Sequence, residues 1–389
     1  MPTSTATASI TLPKSGPAIR TAIQRARTRL GDAPPTIGIA FVSPQLSLSD
    51  ALSEARHLLP STEWLGCTTA GEITENGLTH GGLSLMLVSA PEMSFAVEYS
   101  QRAKTPDLAT KELTRRFPEL RRNGNVGTTV LLVDGLCGTG EHLVELLQRE
   151  AGGTLHEIVG GAAGDEGKFV ATFAGTHAAA SSGSAVALHA FGAGRWGIGV
   201  DHGLVPSSKP MRVTRADGNV VLELDGRPAF EVYRDYASSR GVTLTRENAS
   251  AFLINNELGI LLFDSLKKAR APISVTAGGG LACAAEVPQG AQVSILDGSR
   301  DSLVRAAERA AREAKDRLGT REAAGVLLFD CICRGAILES EFQREIEAVA
   351  HVFPNTPIAG FLTYGEIARY SGRLDGWHNT TAVVAAIPR

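Results

Sequence analysis

Trp64-Leu65-Gly66-Cys67-Thr68-Thr69-Ala70-Gly71-Glu72-Ile73 returns near the C-terminus as Ile358-Ala359-Gly360-Phe361-Leu362-Thr363-Tyr364-Gly365-Glu366-Ile367. Both stretches read as small or apolar residues, Gly, four residues, then Gly-Glu-Ile. A looser copy, Ile158-Val159-Gly160-Gly161-Ala162-Ala163-Gly164-Asp165, is one residue shorter and carries Asp for Glu. The flanks repeat as well. Each copy follows an apolar run and a helical pattern, at 37–42 with 48–59, 130–133 with 143–150, and 326–329 with 342–353. Each is followed by a His ahead of another apolar run, namely His80, His177 and His378. The unit is strand, helix, strand, Gly-acid turn, strand, and it occurs three times. This pattern predicts an α/β fold of repeated strand-helix-strand units, forming two fused domains with mixed sheets.

Glycines flanking such a turn permit close backbone approach, and the acid after the second points out of a strand end. Loops at strand ends of α/β sheets are where sites form. Glu72, Asp165 and Glu366 are therefore the candidate acceptors for a ligand amine, with turn N–H groups around Gly66, Gly71 and Gly360 holding a carboxylate. Thr68, Thr69 and Thr363 add hydroxyls, and Tyr364 sits in the third turn. Arg334, beyond the strand end at Asp330, can pair bidentately with a ligand carboxylate, or equally with one of these same acids. The sharpest expectation is that Glu72 and Glu366, from different domains, line one cleft between the halves. The plain alternative is that the glycines make bulges and the acids are solvated.

At 389 residues the chain exceeds the size of most single cores. Its 43% hydrophobic and 20% charged content is that of a globular protein, and a net charge of −3 without basic runs argues against nucleic acid. Five cysteines without paired spacing fit a reducing, cytoplasmic setting. No apolar run reaches the ~18–20 residues of a membrane helix.

The first 31 residues are rich in Ser, Thr and Arg with no acid, a composition shared by organellar targeting segments. Our reading is a disordered tail over 1–17, then a helix with Ile19, Ala22, Ile23, Ala26 and Leu30 on its buried stripe. One domain then spans 18–236 and a second 237–389, divided at the polar Ser238-Ser239-Arg240-Gly241. Helices are expected at 47–58 and 105–117, with a polar loop at 121–125. Asp217-Gly218 marks a hairpin. The clearest helix is 300–318, with Leu303, Ala306, Ala307, Ala310, Ala311, Ala314 and Leu318 on one stripe.

With these motifs in view, the sequence resembles the FIST family of sensory proteins, which have an N-terminal and a C-terminal FIST domain. The resemblance is carried by 65–72 and 159–165, by His202-Gly203-Leu204-Val205-Pro206, and by the run from Val213 to Ala229. It continues through Phe329-Asp330-Cys331-Ile332-Cys333-Arg334-Gly335, 360–367 and His378-Asn379-Thr380-Thr381. It implies a ligand-sensing module for small molecules such as amino acids, acting in signal transduction through a separate partner such as a histidine kinase or cyclic-dinucleotide enzyme. A subset of the family implies the alternative of a haem-binding nitric oxide sensor, for which His202 is the candidate ligand.

A second alternative is an enzyme using the paired Glu72 and Glu366 as acid and base. No Ser or Cys nucleophile with an adjacent base is identifiable, so the expectation is a protein without catalysis. No His/Cys spacing is diagnostic of metal. Cys331 and Cys333 read as buried structural thiols, with metal or redox work as the alternative.

Overall fold

The computed structural model describes residues 2–120, 126–151, 156–192, 194–262, 265–370 and 376–389. The loop expected at 121–125 lies outside them. The first unit contains β1 (Ser4–Ile10), α1 (Ser15–Leu30), β2 (Ile37–Val42), α2 (Leu48–Leu58), β3 (Glu63–Thr68), β4 (Glu72–Thr74), β5 (Gly77–Thr79) and β6 (Leu83–Ser89). The second contains β7 (Ser94–Ser100), α3 (Pro106–Leu113), α4 (Phe117–Leu120), β8 (Val126–Val133), α5 (Gly140–Glu150), β9 (His156–Ala162), β10 (Ala174–Thr176), β11 (Ala180–Ser181) and β12 (Ala185–Gly192).

The third unit opens with β13 (Gly197–Asp201) and is then interrupted by an inserted layer. That layer comprises β14 (Val205–Pro206), β15 (Met211–Asp217), β16 (Val220–Leu224), β17 (Arg227–Pro228), α6 (Ala229–Ser239), α7 (Ala249–Asn255), β18 (Leu258–Leu262), β19 (Ser265–Arg270), β20 (Pro272–Val275), β21 (Leu281–Cys283) and β22 (Gln292–Asp297). The unit resumes with α8 (Arg300–Leu318), β23 (Ala323–Cys331), α9 (Ile332–Leu338), α10 (Gln343–Val352), β24 (Ile358–Thr363), β25 (Glu366–Arg369), β26 (Gly376–His378) and β27 (Ala382–Pro388).

Each unit builds a six-stranded sheet of the same order, β1-β6-β2-β3-β10-β11, β7-β12-β8-β9-β25-β26 and β13-β27-β23-β24-β4-β5. The two central strands of each, β2/β3, β8/β9 and β23/β24, run parallel and their other neighbours antiparallel, so the sheets are mixed. After the turn, each unit gives its next hairpin to a different sheet. The first unit's β4 pairs with β24, the third unit's β25 with β9, and the second unit's β10 with β3. This cyclic exchange locks the three units together. Their inner faces share one core, in which Phe41 stacks on Phe361 at 4.9 Å and Phe329 meets Phe361 edge-on.

The outer faces carry helices. Ser299 caps α8 by accepting from Ser302 N at 3.1 Å, and its expected stripe of Leu and Ala is wholly buried. The small stripe lets β13 lie close: a Cβ on Gly197 or Gly199 would sit 1.9 Å from the carbonyl oxygen of Ala314 or Ala310.

The α/β class and the two-domain architecture stand, but two expectations about its extent need correction. Residues 1–17 are not a disordered tail, because Ser4–Ile10 pairs along its length with β6 as an edge strand. Its small Ser, Thr and Ala side chains hid the alternation. Thr5 Oγ1 donates to the Ala324 carbonyl at 2.6 Å, tying that edge to the third unit. The division at 236/237 also moves. Val213, Tyr233, Ala237, Leu244, Leu253 and Ile295 share one core across it, so 205–297 forms a single layer inserted into the third unit. A polar, pattern-free stretch marked a loop over this layer, not a boundary.

Candidate functional site

The three Gly-acid turns lie together at one end of the three-sheet body, joined by backbone hydrogen bonds. Ala70 N donates to Leu362 O at 2.9 Å, Gly164 N to Thr68 O at 3.0 Å, and Tyr364 N to Ala162 O at 3.0 Å. The first glycine of each turn has an architectural cause. A Cβ on Gly66, Gly160 or Gly360 would stand 2.3, 1.9 or 1.8 Å from the carbonyl oxygen of Ala40, Leu131 or Leu328, the residue opposite it in the parallel partner strand. Gly71, with φ of 154°, would press a Cβ to 2.9 Å from His80 Cε1.

The two glutamates are turned inward and fully buried, and their contacts match atom for atom. Thr69 Oγ1 donates to Glu72 and Thr363 Oγ1 to Glu366, each at 2.5 Å. The other oxygens accept Gly82 N at 3.2 Å and Thr381 N at 3.1 Å. Burial pushes Glu72 up to about 7, against the Thr69 and Gly82 hydrogen bonds. It raises Glu366 well above the carboxylate range, as does nearby Cys331. These carboxyls staple the turn to the following strand. Neither lines a cavity described in the structure, so the expected shared cleft of Glu72 and Glu366 gives way to two separate internal staples. Thr68 likewise faces inward, accepting from Phe173 N at 3.0 Å.

Arg334 pairs with acids inside the fold, but these are Asp330 and Glu345 and not the expected Glu72, Asp165 or Glu366. It is fully buried, 3.0 Å from Asp330 and 2.9 Å from Glu345, and it donates to the carbonyls of His202 and Leu303 at 3.0 and 2.9 Å. Burial works against its charge, but Glu345 and Asp330 hold its proton more firmly than usual. Burial and the adjoining Glu345 push Asp330 well up.

A cavity of about 540 Å³ opens where the turn end meets the inserted layer. Gly135, Leu136 and Phe169 come from the second unit, Cys331, Cys333, Tyr364 and Asn379 from the third, and Ile254, Pro272, Ile273 and Cys283 from the inserted layer. Its size and mixed apolar lining are those of small-molecule pockets. No charged side chain lines it among the described residues. Tyr364 and Phe169 stack at 4.7 Å as one wall. Asn379 is 1% exposed, and neither end of its amide has a hydrogen-bond partner among the described residues. Burial raises Cys331 well above the usual thiol range and Cys283 up to about 12, which keeps both protonated.

A family model for the FIST N domain matches residues 36–227, and one for the FIST C domain matches 229–369. The chain belongs to the FIST family. FIST domains are associated with sensing in signal transduction. The division between the two models falls inside the inserted layer, at the β16/β17 pairing. Among curated relatives, this FIST chain is 28% identical over 198 residues to an uncharacterised protein of Mycobacterium bovis, covering 48% of this chain and 49% of the relative. It is 28% identical over 194 residues to one of Mycobacterium tuberculosis, with the same coverage. It is 25% identical over 221 residues to one of Methanocaldococcus jannaschii, covering 54% and 42%. The chain thus spans about half the length of the curated relatives it matches.

Of the residues singled out in the FIST sequence as ligand-binding, Tyr364 alone lines this cavity. Asp165 stands behind it, holding the loop that carries Phe169 through the N–H groups of Phe169, Val170 and Ala171 at 2.8, 2.7 and 3.0 Å. It is not the counterpart of Glu72 and Glu366, since its bonds go to its own longer loop and to the Tyr364 hydroxyl of another repeat. His202 does not line the cavity, and its Nδ1 already accepts from Leu204 N at 2.9 Å. No histidine borders the cavity among the described residues, so the candidate haem ligand His202 is not placed to serve a group bound there. Among the described residues, no cluster of three or more His, Cys, Asp or Glu is arranged to hold a metal, and no helix is long and apolar enough to cross a membrane. Asn379 was missed as a site residue. Its sequence signal was membership of the His378–Thr381 motif, but nothing local distinguished it from the turn polar groups around it.

Proposed function

We propose that this chain is a small-ligand sensor whose ligand sits in the cavity between the three-sheet body and the inserted layer. The observation that carries the reading is a pocket walled by both bodies, apolar, with one buried unpartnered amide and no charge. A free amino acid carries two charges, and burying them without partners is costly. The ligand class is therefore a neutral, largely apolar molecule, in place of the amino acids that the family resemblance implies. A ligand touching both walls binds best when they stand at one spacing, so occupancy biases their relative arrangement. That arrangement is the signal, passed to a separate signalling partner without catalysis.

Thermal unfolding tests it. A ligand at ~100 times its Kd adds about 2.7 kcal/mol of stability. Neutral bicyclic heterocycles should raise the midpoint, free amino acids should not, and Ala284→Phe, which fills the cavity from the inserted layer, should abolish the gain. Stabilisation by amino acids alone would overturn the reading.

A further inference from the structure

Of the polar side chains that line the cavity, Asn219 and Ser250 are exposed and Asn219 Nδ2 already donates to the Cys283 carbonyl at 2.7 Å, whereas Asn379 is buried with neither end of its amide partnered among the described residues. Asn379 follows β26 and is held from three sides. Thr381 N donates to Glu366 at 3.1 Å, and Thr381 Oγ1 donates to the Asn379 carbonyl at 2.8 Å. Thr380, with φ of 53°, donates its hydroxyl to Glu257 of the inserted layer. Arg334 caps the Thr380 carbonyl at 3.4 Å. The third Gly-acid turn and the inserted layer together fix the backbone that carries the amide. An unpaired buried amide is costly to the free protein and pairs strongly with a partner that meets both ends.

We propose that the cavity recognises neutral molecules bearing an amide edge, an N–H beside a C=O on the same side of a planar group, paired with both ends of the Asn379 amide. The inference rests on the ligand-binding reading above and names the chemistry the pocket selects. It holds whichever end of the Asn379 amide is oxygen, because a donor-acceptor edge pairs with either assignment. The Tyr364–Phe169 wall adds an aromatic face on which a flat ring can lie. Tyr364 does not compete for the edge, as its hydroxyl is engaged by Asp165 and Gly167 N. Cyclic amides and base-like heterocycles share this edge and differ in their bodies, which the apolar walls would then select.

Three probes of similar shape decide it, measured by calorimetric titration of the full chain. Carbostyril carries the amide edge, N-methylcarbostyril has its donor blocked, and naphthalene has no polar edge. Carbostyril should bind about ten-fold more tightly than its N-methyl analogue, the worth of one net hydrogen bond. In Asn379→Leu, whose side chain keeps the volume without polar atoms, the two should bind alike. Equal affinities for both in the unaltered protein would overturn the amide edge while leaving the apolar cavity in place. Binding of naphthalene but neither carbostyril would do the same. If none of the three binds, the ligand-binding reading falls with it. The comparison within the unaltered protein stands even if Asn379→Leu fails to fold.

Discussion

Tyr364, from the turn of the third unit, donates its hydroxyl hydrogen to Asp165 in the turn of the second, and the same oxygen accepts Gly167 N–H at 2.8 Å. One phenol thus joins two repeats and forms part of the cavity wall. Burial alone would raise Asp165. The Tyr364 hydroxyl and the Val170, Ala171 and Phe169 N–H groups outweigh it and hold the carboxyl below its usual value. Burial first, then Asp165, pushes Tyr364 above its own usual range, so the phenol stays a donor.

Tyr364→Phe therefore removes a hydrogen bond to a charged acceptor, a loss of about 1.5–3 kcal/mol at neutral pH. The sign with pH follows from the depressed Asp165 value. Stability from that carboxylate is present above its unfolded pKa of ~3.9 and lost as pH falls through the folded value. The gap between the protein and Tyr364→Phe in urea unfolding should narrow below about pH 4. Equal stability of the two at neutral pH would remove Asp165–Tyr364 as a tie between the turns.

Glu72 predicts the opposite slope. Its folded value of about 7 lies above the unfolded ~4.3, so across that window the folded chain holds a proton the unfolded chain has lost. The contribution is full below about pH 4 and lost as pH rises through 7, at up to about 1.4 kcal/mol per pH unit. Glu72→Gln cannot titrate and should flatten this part of the profile. If the carboxyl instead bound a ligand amine, Glu72→Gln would weaken ligand affinity and leave the stability profile unchanged.

Gly360→Ala puts a methyl where the Leu328 carbonyl oxygen already lies, with no flexible side chain to yield. Strands β23 and β24 must part, at a cost of about 1–3 kcal/mol or more. Gly16→Ala is the control, since a Cβ there meets nothing within 4 Å. A fall in unfolding midpoint for the first and none for the second is expected. Equal behaviour would mean the repeated glycine is not required by strand spacing.

The repeat made much of this architecture legible. Period-two and period-3.6 patterns report burial of local faces, so α8 and the parallel strand pairs could be read directly. The hairpin exchange could not, because which sheet accepts β4, β10 or β25 depends on contacts between residues far apart in sequence. The glycines and threonines of the turns stand out in the sequence as candidates for ligand contact, whereas in the structure they serve strand spacing and the stapling of Glu72 and Glu366. Sequence cannot distinguish a carboxylate facing a ligand from one facing its own Thr three residues earlier. The cavity needed the inserted layer in place, and its edge residues, such as Ile273 and Cys283, carry no pattern that points inward.

Strand β1 supplies the last prediction. Ser4–Ile10 covers the open edge of β6 along seven paired positions, and Ala6, Ala8 and Ile10 join the core beneath α1. Thr7 Oγ1 donates to Glu75 at 2.7 Å, and Glu75 in turn accepts Ile358 N at 3.1 Å, so the strand braces the hairpin exchanged between the first and third units. Removing residues 2–11 would bare an apolar edge strand with unpaired N–H and C=O groups, a template for pairing with another chain. The shortened protein should unfold at a lower temperature and form concentration-dependent assemblies in sedimentation. Replacing Thr5 and Thr7 with Val keeps the strand and its pairing while deleting the two hydroxyl ties. That variant should stay monodisperse and lose stability only modestly, about 1 kcal/mol per bond. A truncated chain with an unchanged midpoint and no self-association would show that residues 2–11 do not hold the edge.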